Sequence, residues 1–274
     1  MMVEALVYFF VPALVGVLIG IASGLLGIGG GTVMVPIFRL AFGMSATMST
    51  ATSLFAIIPT SISGAISHAK GKTCIPALGI AAGLGGACMS PIGVWLAQLS
   101  PDWLVMLAAA LIIGYSAINM FKKAFKLRPA GQPAAGVDAA APTADDSSLS
   151  RKQLLQGAAI GLVAGLASGY VGVGGGFIMV PLMLSIIGIP MRKASGTSLI
   201  AVMILAIPGV IEQGIIGNIN YLAGIAIVIG TIPGAVIGAR LVTKVPERTL
   251  RLLFGCFLIV AAVMLVLNEV GIFG

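Results

Sequence analysis

Charged residues are scarce in this sequence. Only 8% of its 274 residues are Asp, Glu, Lys or Arg, whereas 59% are hydrophobic and the mean hydropathy is +1.14. A water-soluble domain carries about a quarter charged residues, because its surface has to be solvated. The composition therefore excludes a soluble fold. It also excludes a nucleic-acid binder, since the net charge of +7 forms no basic stripe on a polar, aromatic-bearing surface.

Residues that carry catalytic or metal chemistry are equally scarce. The chain has one histidine, and its three cysteines, Cys74, Cys88 and Cys256, are widely spaced. That spacing matches neither a zinc signature nor a disulfide framework. A single histidine at a helix end cannot assemble a Ser-His-Asp set, and neither an HExxH motif nor a paired-carboxylate set occurs. We therefore predict a protein that is not an enzyme and that holds no metal or other cofactor.

Long apolar runs, by contrast, fill most of the chain. They span about 5–26, 32–43, 47–66, 75–99 and 103–121 in the first half, and 155–173, 177–189, 195–216, 220–242 and 249–267 in the second. A helix needs roughly 20 apolar residues to cross the hydrocarbon core, so the second run of each half is too short to cross upright. The pattern predicts an all-α polytopic membrane protein in which both halves read long, short, long, long, long.

The two halves are an internal duplication. A shift of 145 residues aligns ASGLLGIGGGTVMVP, which begins at Ala22, with ASGYVGVGGGFIMVP, which begins at Ala167, and ten of the fifteen positions are identical. The same shift, without a gap, pairs Thr52-Ser53-Leu54 with Thr197-Ser198-Leu199. A shared offset over this distance indicates two copies of one structural unit.

Loop charges predict how the halves lie in the membrane, because Lys and Arg collect on the cytoplasmic side of short loops. The strongest basic cluster flanks the polar stretch between the halves and consists of Lys122, Lys123, Lys126, Arg128, Arg151 and Lys152. The loop with Lys70 and Lys72 also falls inside, whereas the corresponding loop of the second half, 217–220, has no base. This opposite bias predicts inverted-topology repeats in the cell (inner) membrane, with both termini outside.

The expected organisation follows from this inversion, which requires an odd number of crossings per half. We assign residues 1–126 to a first membrane repeat, 127–150 to a flexible cytoplasmic linker, and 151–274 to a second repeat. Each repeat is predicted to be a glycine-broken long/short helical hairpin followed by three transmembrane helices. Full crossing and re-entry of the hairpins are both open at this stage.

The duplicated glycine runs are the strongest candidates for a binding site. They comprise Gly27, Gly29, Gly30 and Gly31 in the first half, and Gly172, Gly174, Gly175 and Gly176 in the second. Non-helical backbone at membrane depth is tolerated only where it is buried in protein or lines a watery cavity. Such a break before a short helix lets several N–H groups converge on an anion, and in inverted-repeat transporters two breaks meet at the substrate site. The alternative is close helix packing or a tight turn.

Polar side chains near these runs form a second set of candidates, led by Thr52, Ser53, Thr197 and Ser198. Their hydroxyls either donate to an anion or bond back to their own helix or a neighbour. Ser23 and Ser168, just before the glycine runs, have the same two interpretations. Arg39, His68 and Glu212 are further candidates, because burying their charge is costly, although all three lie near predicted interfaces where long side chains snorkel.

These motifs resemble the TauE/SafE family, also called the sulfite exporter or sulfonate-uptake permease family. The resemblance rests on both glycine motifs in register, each followed by a Ser/Thr-rich helix that starts near TATSLF or SGTSLI, and it covers nearly the whole chain apart from the linker. It implies a secondary transporter of small anions such as sulfite, sulfonates or sulfoacetate. The predicted inverted repeats add the expectation of alternating access. The resemblance also implies a backbone cradle at the eight glycines, with Thr52, Ser53, Thr197 and Ser198 as hydroxyl donors.

Other functions stay open beside this one. A cation or metal permease would need buried carboxylates, which are nearly absent from the spans. A membrane scaffold that moves nothing predicts a solid helix bundle, and an intramembrane enzyme needs a catalytic set. The coupling ion, proton or sodium, and the oligomeric state do not follow from the sequence.

Overall fold

The computed structural model describes the backbone of residues 2–126 and 150–269, and the side chains of residues 12–125 and 150–267. Within these ranges the chain forms helices and no strand. The helices are α1 (Met2–Leu26), α2 (Gly31–Phe42), α3 (Ala46–Lys70), α4 (Pro76–Leu99), α5 (Asp102–Lys126), α6 (Arg151–Val171), α7 (Gly176–Leu182, continued by a π-helical turn over Met183–Ile187), α8 (Met191–Ile216), α9 (Tyr221–Leu241) and α10 (Glu247–Glu269). The ten predicted segments are confirmed. The predicted linker lies outside the described residues, apart from Ser150, which caps α6.

Seven of the described helices, α3, α4, α5, α6, α8, α9 and α10, are long and apolar enough to cross a membrane. The second helix of each half is shorter, with 12 residues in α2 and a similar length over Gly176–Ile187. Large apolar side chains such as Leu18, Tyr115 and Ile215 are exposed on the outside of the bundle, where lipid replaces water. The predicted all-α polytopic membrane fold is therefore confirmed.

Helices of one half pack against helices of the other through small residues. α1 lies against α9, and α4 lies against α6. A Cβ atom added to Gly20 would lie 2.4 Å from the carbonyl oxygen of Thr231, and one added to Gly165 would lie 2.2 Å from that of Gly86. Small residues allow this close approach, which replaces the hydrophobic driving force that is missing between helices in lipid.

The contacts between the halves recur at the offset of 145 residues. The backbone N–H of Ile75 donates to Thr197 Oγ1 over 2.9 Å, and that of Asn220 donates to Thr52 Oγ1 over 3.0 Å. Gly20 and Gly165, and likewise Gly86 and Thr231, are also related by this offset. These contacts between the halves therefore come in pairs in which the two halves are exchanged.

The counterpart helices α3 and α8 run antiparallel to each other. Leu199 Cδ1 lies 2.8 Å from the position of a Cβ atom on Gly64, and Leu54 Cδ1 lies 3.5 Å from that on Gly209. Residues early in α3 thus contact residues late in α8, and the reverse. A helix and its repeat-related copy therefore point in opposite directions along their shared contact.

Candidate substrate site at the paired glycine breaks

The backbone leaves the helical conformation at the same place in each half. In the first half Gly27, Gly29 and Gly30 have φ values of 75°, 82° and 86°, and the three corresponding glycines of the second half, Gly172, Gly174 and Gly175, have values of 72°, 87° and 63°. These left-handed conformations disfavour side chains with a Cβ atom. The glycines therefore stop α1 and α6 and let α2 and α7 begin in a new direction.

The two breaks contact each other inside the bundle. A Cβ atom on Gly31 would lie 2.4 Å from the carbonyl oxygen of Val173, and one on Gly176 would lie 2.4 Å from that of Gly27. Gly31 and Gly176 are thus required because the backbone of the other break approaches them closely, and not because of a left-handed φ. All eight glycines are buried. The two sequence motifs, far apart in the chain, form one buried junction.

Two side chains from other helices bind carbonyl groups at the end of α1 and at the glycine that follows it. Ser198 Oγ on α8 donates to the Gly27 oxygen over 2.7 Å, and His68 Nε2 on α3 donates to the Gly24 oxygen over the same distance. The last four carbonyls of a helix have no partner within it, so these bonds satisfy groups that the break leaves open. His68 is fully buried and also bonds Thr73 Oγ1 through Nδ1, at 2.7 Å. It lies inside the helix bundle, although it is in the last turn of α3.

Several buried hydroxyls on the glycine motifs and on α3 have no hydrogen-bond partner among the described residues, namely those of Ser23, Thr32, Ser53, Ser61 and Ser168. The Cβ atoms of Ser23 and Ser168 lie 3.6 and 3.4 Å from the Cβ positions on Gly30 and Gly175. Ser61 Oγ lies 3.5 Å from that on Gly29. A buried hydroxyl without a partner is costly, so these groups are available to a ligand that enters the junction.

Ser61 was not among the predicted site residues, although the sequence contains a signal for it. Ser53, Ile57 and Ser61 follow each other at four-residue spacing, which places them on one face of a helix. Ile57 contacts the Cβ positions of Gly29, Gly31 and Gly174. The helical period, applied from Ser53 onwards, would have identified Ser61.

The two predicted threonines are used in helix caps. Thr52 Oγ1 accepts from the N–H of Asn220 before α9, and Thr197 Oγ1 accepts from the N–H of Ile75 before α4. Thr197 also donates to the Lys193 oxygen over 2.7 Å. The structure thus brings Ser23, Ser168 and Ser198 to the junction. Ser53 is buried on α3, whereas Thr52 and Thr197 bind the N–H groups at the starts of α9 and α4. Their role as donors to a ligand stays a prediction.

The surroundings of the junction are uncharged. The nearest atoms to its eight glycines belong to residues without charge. Arg39 is half-buried in the last turn of α2, and Glu212 is half-buried near the end of α8. One carboxylate oxygen of Glu212 has no hydrogen-bond partner in the part of the chain that the structure describes. Within the described ranges, no group of three or more His, Cys, Asp or Glu side chains is placed to hold a metal ion. An anion in the junction would therefore be held by N–H and O–H dipoles.

Comparisons with known proteins agree over nearly the whole chain. Residues 12–265 match the family model described as "Sulfite exporter TauE/SafE". The relatives include "Probable membrane transporter protein YunE" of Bacillus subtilis (strain 168), 28% identical over 97% of this chain and 99% of that protein. They also include YdhB of the same organism, 28% identical over 87% and 92%, and a Haemophilus influenzae protein, 29% identical over 93% and 97%, both with the same description. No solved structure matches the chain significantly.

Proposed function

We propose that this chain, which belongs to the TauE/SafE family, is a secondary transporter of small sulfur-containing oxyanions such as sulfite, sulfonates or sulfoacetate. Membrane transport as such follows from the family and from its relatives, which carry the description of membrane transporters. The family description supports a sulfur oxyanion as the substrate. The observation that carries the proposal is the junction of the two glycine breaks.

The junction suits an anion of this class. A sulfite or sulfonate carries several acceptor oxygens on one sulfur and one or two negative charges. The N-terminus of α2 follows Gly30 directly, so its free N–H groups and helix dipole favour a negative ligand there. The hydroxyls of Ser23, Ser61 and Ser168 add neutral donors on the sides of the junction. Donors without a fixed positive charge hold an anion and still allow its release.

Alternating access is the transport mechanism that we propose for this site. The antiparallel course of α3 and α8, together with the exchanged contacts between the halves, supports two inverted repeats. Rocking of one repeat against the other would then expose the junction to each side of the membrane in turn. The basic residues at the ends of α5 and α6 support a cytoplasmic linker and inner-membrane location.

Transport by purified protein in liposomes tests the proposed function. We expect uptake of labelled sulfite, with competition by sulfoacetate and taurine and none by potassium or magnesium. Empty liposomes and liposomes with heat-unfolded protein are the controls. Folded protein that moves a cation or a simple carboxylate but no sulfur oxyanion would contradict the proposal. Repeating the assay with an imposed proton or sodium gradient identifies the coupling ion.

A further inference from the structure

An apolar groove opens on the surface of the helix bundle. It is formed by α5, α6 and α7 together with Leu96 at the end of α4, and has a volume of about 600 Å³. Apolar side chains from Ala108 on α5, Val163 on α6 and Ile178 on α7 form most of its walls. A concave apolar surface that faces the membrane is filled by lipid or by another protein.

The groove continues towards a basic end. A second groove, of about 610 Å³, shares Asn119 with the first and is lined by Lys122 and Lys123. Lys123 Nζ donates to the Pro181 oxygen over 3.1 Å and also to Ser185 Oγ, while the Lys122 side chain is exposed. An ammonium group has three donors, so Lys123 keeps one for a further acceptor. The positively charged Lys122 and Lys123 therefore lie at one end of the mostly apolar groove.

The length of the apolar part fits one lipid leaflet. Its wall on α5 runs from Ala108 to Asn119, which at 1.5 Å per residue is about 16 Å. Half of the hydrocarbon core measures about 15 Å. An acyl chain that lies along this wall would thus place its headgroup beside Lys122.

The repeat does not explain these polar and basic residues. At the offset of 145, Ser116, Asn119 and Lys122 correspond to Ala261, Met264 and Leu267. Packing shared by both halves therefore does not require them. Basic pockets between transmembrane helices are a known means of holding acidic headgroups.

We infer that this groove binds one anionic phospholipid, with an acyl chain between α5, α6 and α7 and its phosphate at Lys122 and Lys123. The bound chain contacts Ile178, Pro181 and Leu182 of α7. The inference needs only the membrane location and the groove, and it holds independently of the substrate.

Native mass spectrometry of the full chain tests this site, with phosphatidylglycerol and phosphatidylethanolamine of equal acyl chains added to the purified protein. We expect phosphatidylglycerol to bind more tightly than phosphatidylethanolamine. Lys122→Gln should weaken phosphatidylglycerol binding about five-fold, the effect of one lysine near an anionic surface. Lys70→Gln, which removes an exposed lysine elsewhere, should leave the binding unchanged.

Substitutions that fill the groove with a larger side chain provide a second test. Ala108→Trp should lower the binding of both lipids, whereas Leu111→Trp, at a position exposed outside the groove, should not. Ala108→Leu serves the same purpose if the tryptophan variant does not fold. Equal lipid binding by wild type, Lys122→Gln and the groove variants would overturn the inference. Loss of a dimer in the Ala108 variants would also overturn it, because the groove would then be a subunit interface.

Discussion

Ser198 Oγ donates a hydrogen bond of 2.7 Å to the carbonyl oxygen of Gly27, and so connects α8 of the second half to the glycine break of the first half. Its repeat-related counterpart, Ser53, is buried and has no partner among the described residues. The two breaks are thus similar in backbone but different in their side-chain contacts. The first break is hydrogen-bonded to a neighbouring helix through Ser198, whereas the Ser53 hydroxyl bonds no described residue.

This difference predicts unequal effects on stability. Ser198→Ala leaves the Gly27 carbonyl without its donor, and we expect it to lower the free energy of unfolding by about 1–3 kcal/mol. Ser53→Ala removes a hydroxyl that bonds none of the residues that the structure describes, so it should leave stability unchanged or slightly higher. Thermal unfolding of both variants in the same detergent measures the difference. Equal destabilisation by the two substitutions would contradict the assigned contacts.

The two threonine caps make a second prediction about stability. Thr197→Val removes the acceptor for the Ile75 N–H, and Thr52→Val removes the acceptor for the Asn220 N–H. Each should cost about 1–3 kcal/mol, because a buried N–H loses its partner. Thr197→Ser and Thr52→Ser keep the hydroxyl and should retain most of the stability. Retained stability in the valine variants, measured by thermal unfolding, would show that the caps are not needed.

Ser23 and Ser168 allow a test of ligand binding that leaves the fold intact. Their buried hydroxyls have no hydrogen-bond partner within the described ranges, so Ser23→Ala and Ser168→Ala should not lower the unfolding midpoint. If the hydroxyls donate to the bound anion, each variant should bind sulfite several-fold more weakly, since a hydrogen bond to a charged group contributes about 1.5–3 kcal/mol. Calorimetric titration of both variants measures this. Unchanged affinity in both would exclude these serines from the site.

Alternating access predicts that these same two positions are reached from both sides of the membrane. In a background with the native cysteines replaced, a cysteine introduced in place of Ser23 or Ser168 should react with an impermeant maleimide in inside-out and in right-side-out vesicles. Lys72→Cys, at an exposed position, is the control for reagent and sidedness. A rigid, non-transporting bundle would leave the thiols at 23 and 168 unreacted, while the control position reacts.

The helices were predictable because individual residues in the sequence mark where each helix begins and ends. Gly43, Gly188 and Gly217 end helices in left-handed conformations, and Ser45 and Ser150 begin them as N-caps. The short second helix of each half was predictable from length alone. The contact between the two breaks followed from the duplication, since two copies of one motif pack against each other in inverted-repeat proteins.

The partners of individual hydroxyls were not predictable, because they depend on tertiary contacts. Thr52 and Ser53 are neighbours in sequence, yet Thr52 caps α9 and Ser53 has no partner among the described residues. His68 lies near a helix end, where the sequence favours an interfacial position, but it is buried against Gly24 of α1. The residues next to His68 in the sequence give no indication that α1 packs against it. In both examples, the direction of the side chain on a closely packed helix determines which partner it contacts.

Sulfite flux through variants of the glycine breaks tests the central claim most directly. Gly30→Ala and Gly175→Ala place a Cβ atom on left-handed backbone within the junction. Gly217→Ala does so at φ 85°, where no described residue other than its chain neighbours lies within 4 Å of the new Cβ. Alanine strains the backbone to a similar extent at all three positions. A difference in flux between the folded variants in liposomes therefore reports on the junction and not on this strain. We predict that Gly30→Ala and Gly175→Ala lose most of the sulfite flux while Gly217→Ala retains it. Wild-type flux in both junction variants would contradict a substrate site at the paired glycine breaks.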